Sequence, residues 1–215
     1  MSESQYNPLD KLNLGKSVAE ALLDKPLQGL GELEPFEGAG IYAIYYEGKF
    51  AAYKALAERN KKSADWPLYV GKAIPSGGRR GVAVFSASSG RVLWNRIKDH
   101  ADSIRAAQNL RIEDFSCRYL AVDDIWIPLG ETLLIAKFKP AWNQILDGFG
   151  NHDPGAGRYQ GMRPLWDVLH PGRSWALKCR SRPESVDELA SRVKSFLKEN
   201  SPPADTHMKF FSPEK

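Results

Sequence analysis

Cysteine is scarce in this chain of 215 residues, where only Cys117 and Cys179 are present. They lie far apart and in no metal-like spacing, so neither a disulfide scaffold nor a zinc ribbon is expected. Apolar runs stay far below the roughly 18 residues that a membrane span needs. The N-terminal sequence lacks the basic and then apolar layout of a signal peptide. These absences predict a soluble, reduced, intracellular protein with no membrane partner.

Positive charge is modest overall, with a net charge of +4, but its distribution is uneven. Residues 72–111 carry eight Lys and Arg against two Asp, and residues 157–180 carry five against one Asp. Basic stretches with aromatic residues between them indicate a polyanionic partner, of which nucleic acid is the commonest. The alternative interpretation is a basic face that is merely solvated.

Hydrophobic periodicity, caps and Pro or Gly breaks predict an α/β (α+β) fold with a small three-stranded core and additions at both ends. Predicted strands cover 41–46, 68–70 and 115–122, and predicted helices cover 17–25, 49–62, 91–107, 129–138 and a stretch after a capping box at 185–188. The predicted organisation is an N-terminal extension over 1–37, a core over 38–146 with a helical insert at 49–62, a C-terminal extension over 147–199 and a mobile tail over 200–215.

Two tyrosines mark the first two predicted strands. Tyr42 ends the string GIY at 40–42, and Tyr69 begins the string YVG at 69–71. A tyrosine on a half-buried strand is usually a core residue whose hydroxyl reaches water or a polar partner. Neither tyrosine by itself therefore indicates a reactive site.

Four further polar residues follow the tyrosines on or beside the predicted helices. Arg96 and His100 are four residues apart on the basic helix, and they therefore share one face. Glu131 lies near the start of a mostly apolar helix, and Asn143 follows the string KPAW. Alone, each has an ordinary interpretation as a surface residue, a complement to the helix dipole or a cap for backbone groups. Their occurrence in this order is what indicates chemistry.

The order of five of these residues resembles the GIY-YIG nuclease superfamily over residues 38–145, with YVG in place of YIG; the five are Tyr42, Tyr69, Arg96, Glu131 and Asn143. This resemblance implies a mostly antiparallel sheet flanked by helices. Longer strings resemble, more narrowly, the GIY-YIG type II restriction endonucleases that cut the palindrome CCGCGG. These strings are YVGKA at 69–73, DFSCR at 114–118, KPAWN at 139–143, DGFGNHDPGAGR at 147–158 and WDVLHPGRSWA at 166–176.

The resemblance implies a sequence-specific type II restriction endonuclease that hydrolyses phosphodiester bonds of double-stranded DNA. It implies that Tyr42 activates the attacking water and that Tyr69 orients water or phosphate. A phenol with a pKa near about 10 is a poor base by itself. Tyr42 therefore needs help from a cation or from a hydrogen-bond acceptor, for which His100 is the candidate.

The remaining catalytic candidates suit the rest of this chemistry. Arg96 offers a bidentate and permanently charged fork to the phosphate. A single carboxylate, Glu131, can hold one Mg²⁺ per active site, because Mg²⁺ keeps several waters and takes phosphate oxygens as further ligands. Mn²⁺ is expected to substitute for it. Asn143 completes the catalytic set that the resemblance implies.

Sequence-selective reading of a G/C-only palindrome requires several donors in the major groove, with Arg to guanine the commonest pairing. Candidate DNA contacts in the basic stretches are Lys72, Arg79, Arg80, Arg158, His170 and Arg173. The Gly-rich residues 148–157 would let the backbone approach DNA closely. The extension over 147–199 is therefore expected both to contact DNA and to pack on the core.

The resemblance also implies partners and a cellular setting. A palindromic site pairs naturally with a two-fold homodimer that brings one active site to each strand. A restriction enzyme implies the cytoplasm of a prokaryotic cell, and a cognate DNA methyltransferase in the same restriction-modification system.

Three other functions stay open from the sequence. Pro8-Leu9-Asp10 with Glu47-Gly48-Lys49 imitates the PD…ExK pattern of many restriction enzymes, although no strand is predicted at Asp10. A structure-selective homing or repair nuclease of the same superfamily is the second alternative. The third is a non-catalytic DNA-binding module on the same fold, which would have no need of a carboxylate that faces phosphate.

Overall fold

The computed structural model describes residue 7 and residues 9–75 and 90–202. Arg79 and Arg80, two of the predicted DNA contacts, lie outside these ranges, as does most of the tail expected at 200–215. One antiparallel sheet with helices on both faces organises the described residues. The predicted fold class is thereby confirmed.

The strands of the sheet are β1 (Gln28–Gly29), β2 (Gly40–Tyr46), β3 (Tyr69–Ala73) and β4 (Phe115–Ala121). Their order is β1-β4-β2-β3, so β2 is central and pairs with both β3 and β4. The prediction of three strands missed β1, because its two residues have no β-branched or aromatic side chain to indicate a strand. The predicted end of the second strand at residue 70 was wrong, since Gly71 pairs with Tyr42 inside the ladder.

Every residue of β2 is buried, and its two faces belong to two separate hydrophobic cores. Tyr42, Ile44 and Tyr46 point into the larger core, whereas Ile41 and Tyr45 point into the smaller one. This alternation is the one expected of a strand, in which successive side chains point to opposite faces. Tyr42 is thus fixed on the face of the sheet that carries the larger core.

The described ranges contain seven α-helices: α1 (Lys11–Leu23), α2 (Lys54–Ser63), α3 (Val92–Ala106), α4 (Ile127–Phe138), α5 (Ala141–Gln144), α6 (Leu165–Leu169) and α7 (Val186–Glu199). Helices α1 and α4 cover the smaller core, and the other five surround the larger core. The insert predicted at 49–62 consists of a 3₁₀ turn at Ala51–Tyr53 that leads into α2. Among the helices described, none has the length and apolar character to span a membrane.

The starts of α7 and α1 can be compared with the predicted ones. Helix α7 begins after Ser185, whose side chain accepts a hydrogen bond from the Glu188 backbone in the predicted box. Helix α1 begins before Ser17, because the Asp10 carboxylate accepts a hydrogen bond from the Leu12 N–H at 2.8 Å and caps the helix there. The predicted start of this helix at residue 17 was therefore wrong.

Between α5 and α7 the chain is held by a buried arginine. The Arg173 guanidinium bonds the Asp167 carboxylate at 2.7 and 2.5 Å. It also lies 4.7 and 4.8 Å from the ring centroids of Trp166 and Trp175. Its remaining donors reach the backbone carbonyls of Gly148, Phe149 and Asn151. The paired Arg173 side chain therefore fixes the backbone of residues 148–151, which lies outside any helix or strand.

Candidate active site

Tyr42 and His100 form a buried hydrogen-bonded pair on the larger-core face of the sheet. The Tyr42 hydroxyl oxygen lies 2.5 Å from Nε2 of His100, within hydrogen-bonding distance, and both side chains are at most 1% exposed. Burial, aided by the charge of Arg96, lowers the pKa of His100 well below its usual value, so the ring is neutral, and its Nδ1–H tautomer leaves Nε2 able to accept the tyrosine proton. Burial also raises the pKa of Tyr42 well above its usual value. The site thus contains a neutral phenol in hydrogen-bonding contact with a neutral imidazole.

The glycine of the YVG string is explained by the Tyr42 ring. Gly71 lies opposite Tyr42 in the ladder between β2 and β3. A Cβ atom on Gly71 would lie 2.4 Å from the Tyr42 hydroxyl oxygen and 2.9 Å from a ring carbon of Tyr69. Because contacts this short do not occur, any side chain at position 71 would move the Tyr42 hydroxyl away from His100.

Arg96 connects the tyrosines to the protein surface. Burial raises the pKa of Tyr42 and of Tyr69, and the positive charge of Arg96 lowers both in part. The Arg96 side chain is partly exposed, and its Nη1 donates to Nε2 of His152 at 2.6 Å. Arg96 is therefore placed to stabilise negative charge next to the Tyr42–His100 pair.

Sequence reasoning missed the segment that closes this site. The Phe149 ring stacks on His100 with centroids 4.3 Å apart, and it lies edge-on to Tyr69 at 5.0 Å. His152, in the same segment, reaches Arg96. The segment has no helical or strand period that could indicate which side chains face inward. Its unusual sequence at 147–158 was the one signal available.

Glu131 lies on α4, and a lysine neutralises it. The Lys72 Nζ is 2.7 Å from Glu131 Oε2, with 38% of the lysine side chain and 16% of the glutamate side chain exposed. Burial is the main cause that raises the pKa of Tyr69, and the charge of Glu131 raises it further, so Glu131 acts on Tyr69 through its charge. Lys72 was predicted to contact DNA, but in this structure its ammonium pairs with the carboxylate that is the candidate metal ligand.

A surface depression of about 370 Å³ lies between the end of β3 and the first turns of α3. Lys72 and Arg96 both line it, together with Asn95 and Asp99. A phosphate group in this depression would meet two cations without entering the hydrophobic core. The depression is therefore the place where substrate could approach the Tyr42–His100 pair.

The side chain of Asn143 is occupied by backbone groups. Its Oδ1 accepts a hydrogen bond from the Val70 N–H, and its Nδ2 donates to the Val70 carbonyl, both at 2.8 Å. These two bonds hold β3 at the residue that follows Tyr69. In this structure Asn143 positions β3, and its part in catalysis stays a prediction.

The predicted DNA contacts in the C-terminal extension differ in exposure. Arg158 is exposed in a 3₁₀ turn. His170 is fully buried, and its two ring nitrogens pair with Tyr53 and Asn109. Arg173 is 5% exposed, and its donors are occupied by an ion pair and by backbone carbonyls. The predicted DNA contacts of His170 and Arg173 are corrected accordingly, because neither side chain reaches the surface.

A family model described as the Eco29kI GIY-YIG domain matches residues 34–197. The chain belongs to this GIY-YIG restriction endonuclease family. A search of the curated proteins found no match to the chain. The GIY-YIG match includes the whole site, from Tyr42 on β2 to His152 beyond α5, and membership supports a DNA endonuclease.

Membership in the GIY-YIG family also decides between the two nuclease patterns in the sequence. The PD…ExK alternative needed Asp10 and Glu47 in one site. Asp10 lies outside the matched range, and its carboxylate caps α1. The PD…ExK interpretation is therefore excluded.

Proposed function

We propose that this protein is a Mg²⁺-dependent type II restriction endonuclease that cuts double-stranded DNA at the palindrome CCGCGG. The observation that carries the proposal is the Tyr42–His100 hydrogen bond beside the Arg96 guanidinium. Hydrolysis of a phosphodiester needs a proton acceptor for the attacking water and positive charge at the phosphate. This site supplies both. The choice of CCGCGG rests on the long strings that resemble enzymes with that specificity.

In the proposed reaction, Tyr42 accepts a proton from the attacking water while its own hydroxyl proton passes to Nε2 of His100. The hydrogen bond of 2.5 Å already aligns this second transfer. The step leaves a neutral phenol and an imidazolium, so no free phenolate forms in the buried site. The negative charge that develops on the phosphate offsets part of the cost of a buried imidazolium.

Arg96 is the proposed phosphate contact. Burial raises the pKa of Tyr42 and of Tyr69, and the positive charge of the Arg96 guanidinium opposes this rise. The charge of Arg96 therefore acts where the attacking oxygen would lie. Tyr42 is fully buried in the DNA-free chain. Water can therefore reach its hydroxyl only after the side chains around Arg96 make room, and substrate binding is the event that we expect to do this.

Glu131 is the proposed ligand of the divalent cation. Its carboxylate already faces a cation, because the ammonium of Lys72 lies 2.7 Å away. Mg²⁺ usually keeps several waters and binds through one or two carboxylates plus substrate phosphate, so a single carboxylate fits it. When bound, the ion would stabilise charge on the phosphate and on the leaving oxygen. Lys72 would then be free for the DNA contact that the sequence predicted.

The assembly that we propose is a homodimer on the palindrome. A two-fold dimer brings one active site to each strand of a two-fold site. Arg158 is the candidate base or phosphate contact among the described residues of the C-terminal extension, since it is exposed. Mn²⁺ is expected to replace Mg²⁺, and a DNA methyltransferase of the same specificity is expected to protect host DNA.

The test is digestion of a plasmid of known sequence by the purified chain, with MgCl₂ or with excess EDTA, followed by sequencing of the ends. We expect discrete fragments that end at CCGCGG with 5′-phosphate and 3′-hydroxyl groups. The matched control is Glu131→Gln, which keeps the size of the side chain and should bind DNA without cutting it. Cleavage in EDTA, or undiminished cleavage by the variant, would contradict the proposal. Binding without cleavage by the wild type would favour a non-catalytic module.

A further inference from the structure

The segment after α5 is anchored beside the active site at several points. The Asp147 carboxylate accepts a hydrogen bond from the Leu165 N–H, and its carbonyl accepts one from the Trp166 N–H, both at 3.0 Å. Arg173 donates to three backbone carbonyls within residues 148–151, at distances from 2.8 to 3.0 Å. The next residue, at position 152, is therefore presented from a fixed backbone even though it lies outside any helix or strand.

His152 uses this position to contact Arg96. Nη1 of Arg96 donates to Nε2 of His152 at 2.6 Å. Arginine stays protonated in proteins, so Arg96 is the donor and the His152 ring is neutral with Nε2 free of a proton. The charged and titratable groups that face this ring are Arg96 itself, Asp99, with Oδ2 at 4.0 Å from Nε2, and His100, which interacts with it electrostatically.

Gly150 is what lets the guanidinium reach His152. A Cβ atom at position 150 would lie 2.7 Å from Nη2 of Arg96 and 3.3 Å from the Tyr69 hydroxyl. A side chain there would push Arg96 away from both the tyrosine and the histidine. The contact between Arg96 and His152 thus depends on a glycine in the same anchored segment.

We propose that His152 is a positioning residue of the active site. In the DNA-free protein it holds the Arg96 guanidinium beside Tyr42 and Tyr69. When the scissile phosphate binds, His152 releases Arg96 and takes up one proton from the solvent at Nε2. This inference rests on the proposed function, because it names a phosphate of DNA as the group that takes Arg96 over.

Arg96 would exchange its hydrogen bond to His152 for hydrogen bonds to the phosphate. A phosphate that binds Arg96 through two parallel hydrogen bonds competes for Nη1, which now donates to His152. After that bond breaks, the lone pair on Nε2 faces a phosphate oxygen and repels it. A new N–H bond at Nε2 turns the same atom into a donor to that oxygen, and the imidazolium adds a positive charge to the site.

Proton uptake makes DNA affinity depend on pH. The bound state holds one proton more than the free state, so affinity is highest at low pH. For a rise of about one pH unit in the His152 midpoint, affinity decreases by about tenfold in total as pH rises through the range in which imidazoles titrate. Replacing His152 by Gln keeps an acceptor for Arg96 but removes the titration. The variant should therefore keep Arg96 in place and lose this pH dependence.

The experiment follows the protonation of the histidine side chains by NMR as a function of pH. The protein is the full chain with Glu131→Gln, alone, with a short duplex that contains CCGCGG, or with inorganic phosphate. The His152 signal is assigned from His152→Gln. The matched control is His207→Gln, which changes a histidine outside the described residues. We expect the His152 midpoint to rise by about one pH unit with either probe, which corresponds to about tenfold tighter proton binding.

Cleavage rates supply a second readout in the otherwise wild-type chain. His152→Ala should cleave more slowly than His152→Gln, because only glutamine still accepts a hydrogen bond from Arg96. An unchanged His152 midpoint with both probes would overturn the inference, and so would a His152→Gln protein with the pH dependence of the wild type. If the wild type neither binds the duplex nor cuts plasmid DNA, the proposed function fails. The titration with inorganic phosphate still decides the role of His152 in that case.

Discussion

Within the part of the chain that the structure describes, two buried Tyr–His pairs have the same hydrogen bond, and their surroundings differ. The Tyr42–His100 and Tyr53–His170 pairs both have a distance of 2.5 Å between the hydroxyl oxygen and Nε2. All four side chains are at most 1% exposed. Neither the bond nor the burial can therefore distinguish a reactive pair from a structural one.

Each member of the Tyr53–His170 pair makes a further hydrogen bond to a neutral side chain. Trp142 Nε1 donates to the Tyr53 hydroxyl at 2.7 Å, and Nδ1 of His170 donates to Asn109 Oδ1 at 2.9 Å. The pair therefore has its donors and acceptors matched by fixed neighbours, which is how a core accommodates polar groups. We interpret it as a structural element that ties α2 and its preceding turn to the C-terminal extension.

The Tyr42–His100 pair has charged neighbours instead. The charge of Arg96 acts on both members, and Tyr69 lies beside Tyr42 with ring centroids 6.1 Å apart. Arg96 and Tyr69 are partly exposed, so this pair is next to the surface while the other is surrounded by aromatic rings. The Tyr42–His100 pair is therefore the candidate for catalysis because it has a charged neighbour and lies beside side chains that reach the surface.

The largest expected difference between the pairs is in the cleavage rate after loss of the tyrosine hydroxyl. Tyr42→Phe should lower the single-turnover rate by about 10²–10⁴-fold, the usual contribution of a general base. Tyr53→Phe is the matched control and should cut at a rate close to that of the wild type. A Tyr42→Phe enzyme with a normal rate would mean that Tyr42 is only a core residue.

The next prediction removes the charge that distinguishes the first pair. Arg96→Ala should lower the cleavage rate by about 10²–10³-fold, the effect of removing one prearranged donor at the transition state. Arg105→Ala is the control on the same helix, since Arg105 is exposed and bonds Asp102 and the Gly31 carbonyl. Equal losses in both variants would indicate a general effect of positive charge on DNA binding.

The sequence predicted most of the surroundings of the Tyr42–His100 pair because those residues lie on periodic elements. The i, i+4 spacing of Arg96 and His100 on α3 put both on one face, and the structure shows them beside Tyr42. The strand pattern of β2 placed Tyr42 on a definite face of the sheet. Where a helix or strand period applies, one sequence is enough to infer which side chains share a face.

The residues that sequence reasoning placed wrongly or missed lie in the irregular extension. His170 and Arg173 occur in a string rich in basic and aromatic residues, which is equally compatible with a DNA-binding surface and with a packed core. Only the tertiary structure brings Asp167 and two tryptophan rings to Arg173. His152 was missed for the same reason, because no period determines the direction of a side chain in a Gly-rich segment.

A third prediction uses pH to compare the histidines. Burial lowers the pKa of His170 to about 3 in the folded protein, whereas an unfolded histidine has a pKa of about 6.5. The unfolded state therefore binds the extra proton between these values, so stability is complete above about pH 6.5 and decreases as pH falls toward 3. Each buried neutral histidine changes the free energy of unfolding by about 1.4 kcal/mol per pH unit within this range.

The check is the free energy of unfolding in urea, measured between pH 4.5 and 6.5 for the wild type and for His170→Asn. The variant should be less stable near neutral pH, because Tyr53 and Asn109 lose a partner, but its pH slope should be smaller by the contribution of one histidine. His100→Asn should reduce the slope in the same way, since burial lowers that pKa as well. An unchanged slope in His170→Asn would show that His170 is already protonated in the fold.

The smallest expected effect is the difference in stability between the two Tyr→Phe variants. Tyr42→Phe should be the slower enzyme, whereas Tyr53→Phe should be the less stable protein. Tyr53→Phe leaves the Trp142 N–H and Nε2 of His170 without their partner in a closed core, which typically costs about 1–3 kcal/mol. Tyr42→Phe also leaves Nε2 of His100 without its partner, but the other side chains that interact with Tyr42, those of Arg96 and Tyr69, are partly exposed and can bond water instead. Urea unfolding should therefore show Tyr53→Phe as the less stable variant by about 1 kcal/mol. If Tyr42→Phe were both the slower enzyme and the less stable protein, its loss of activity would reflect a damaged fold, and the two pairs would no longer differ in function.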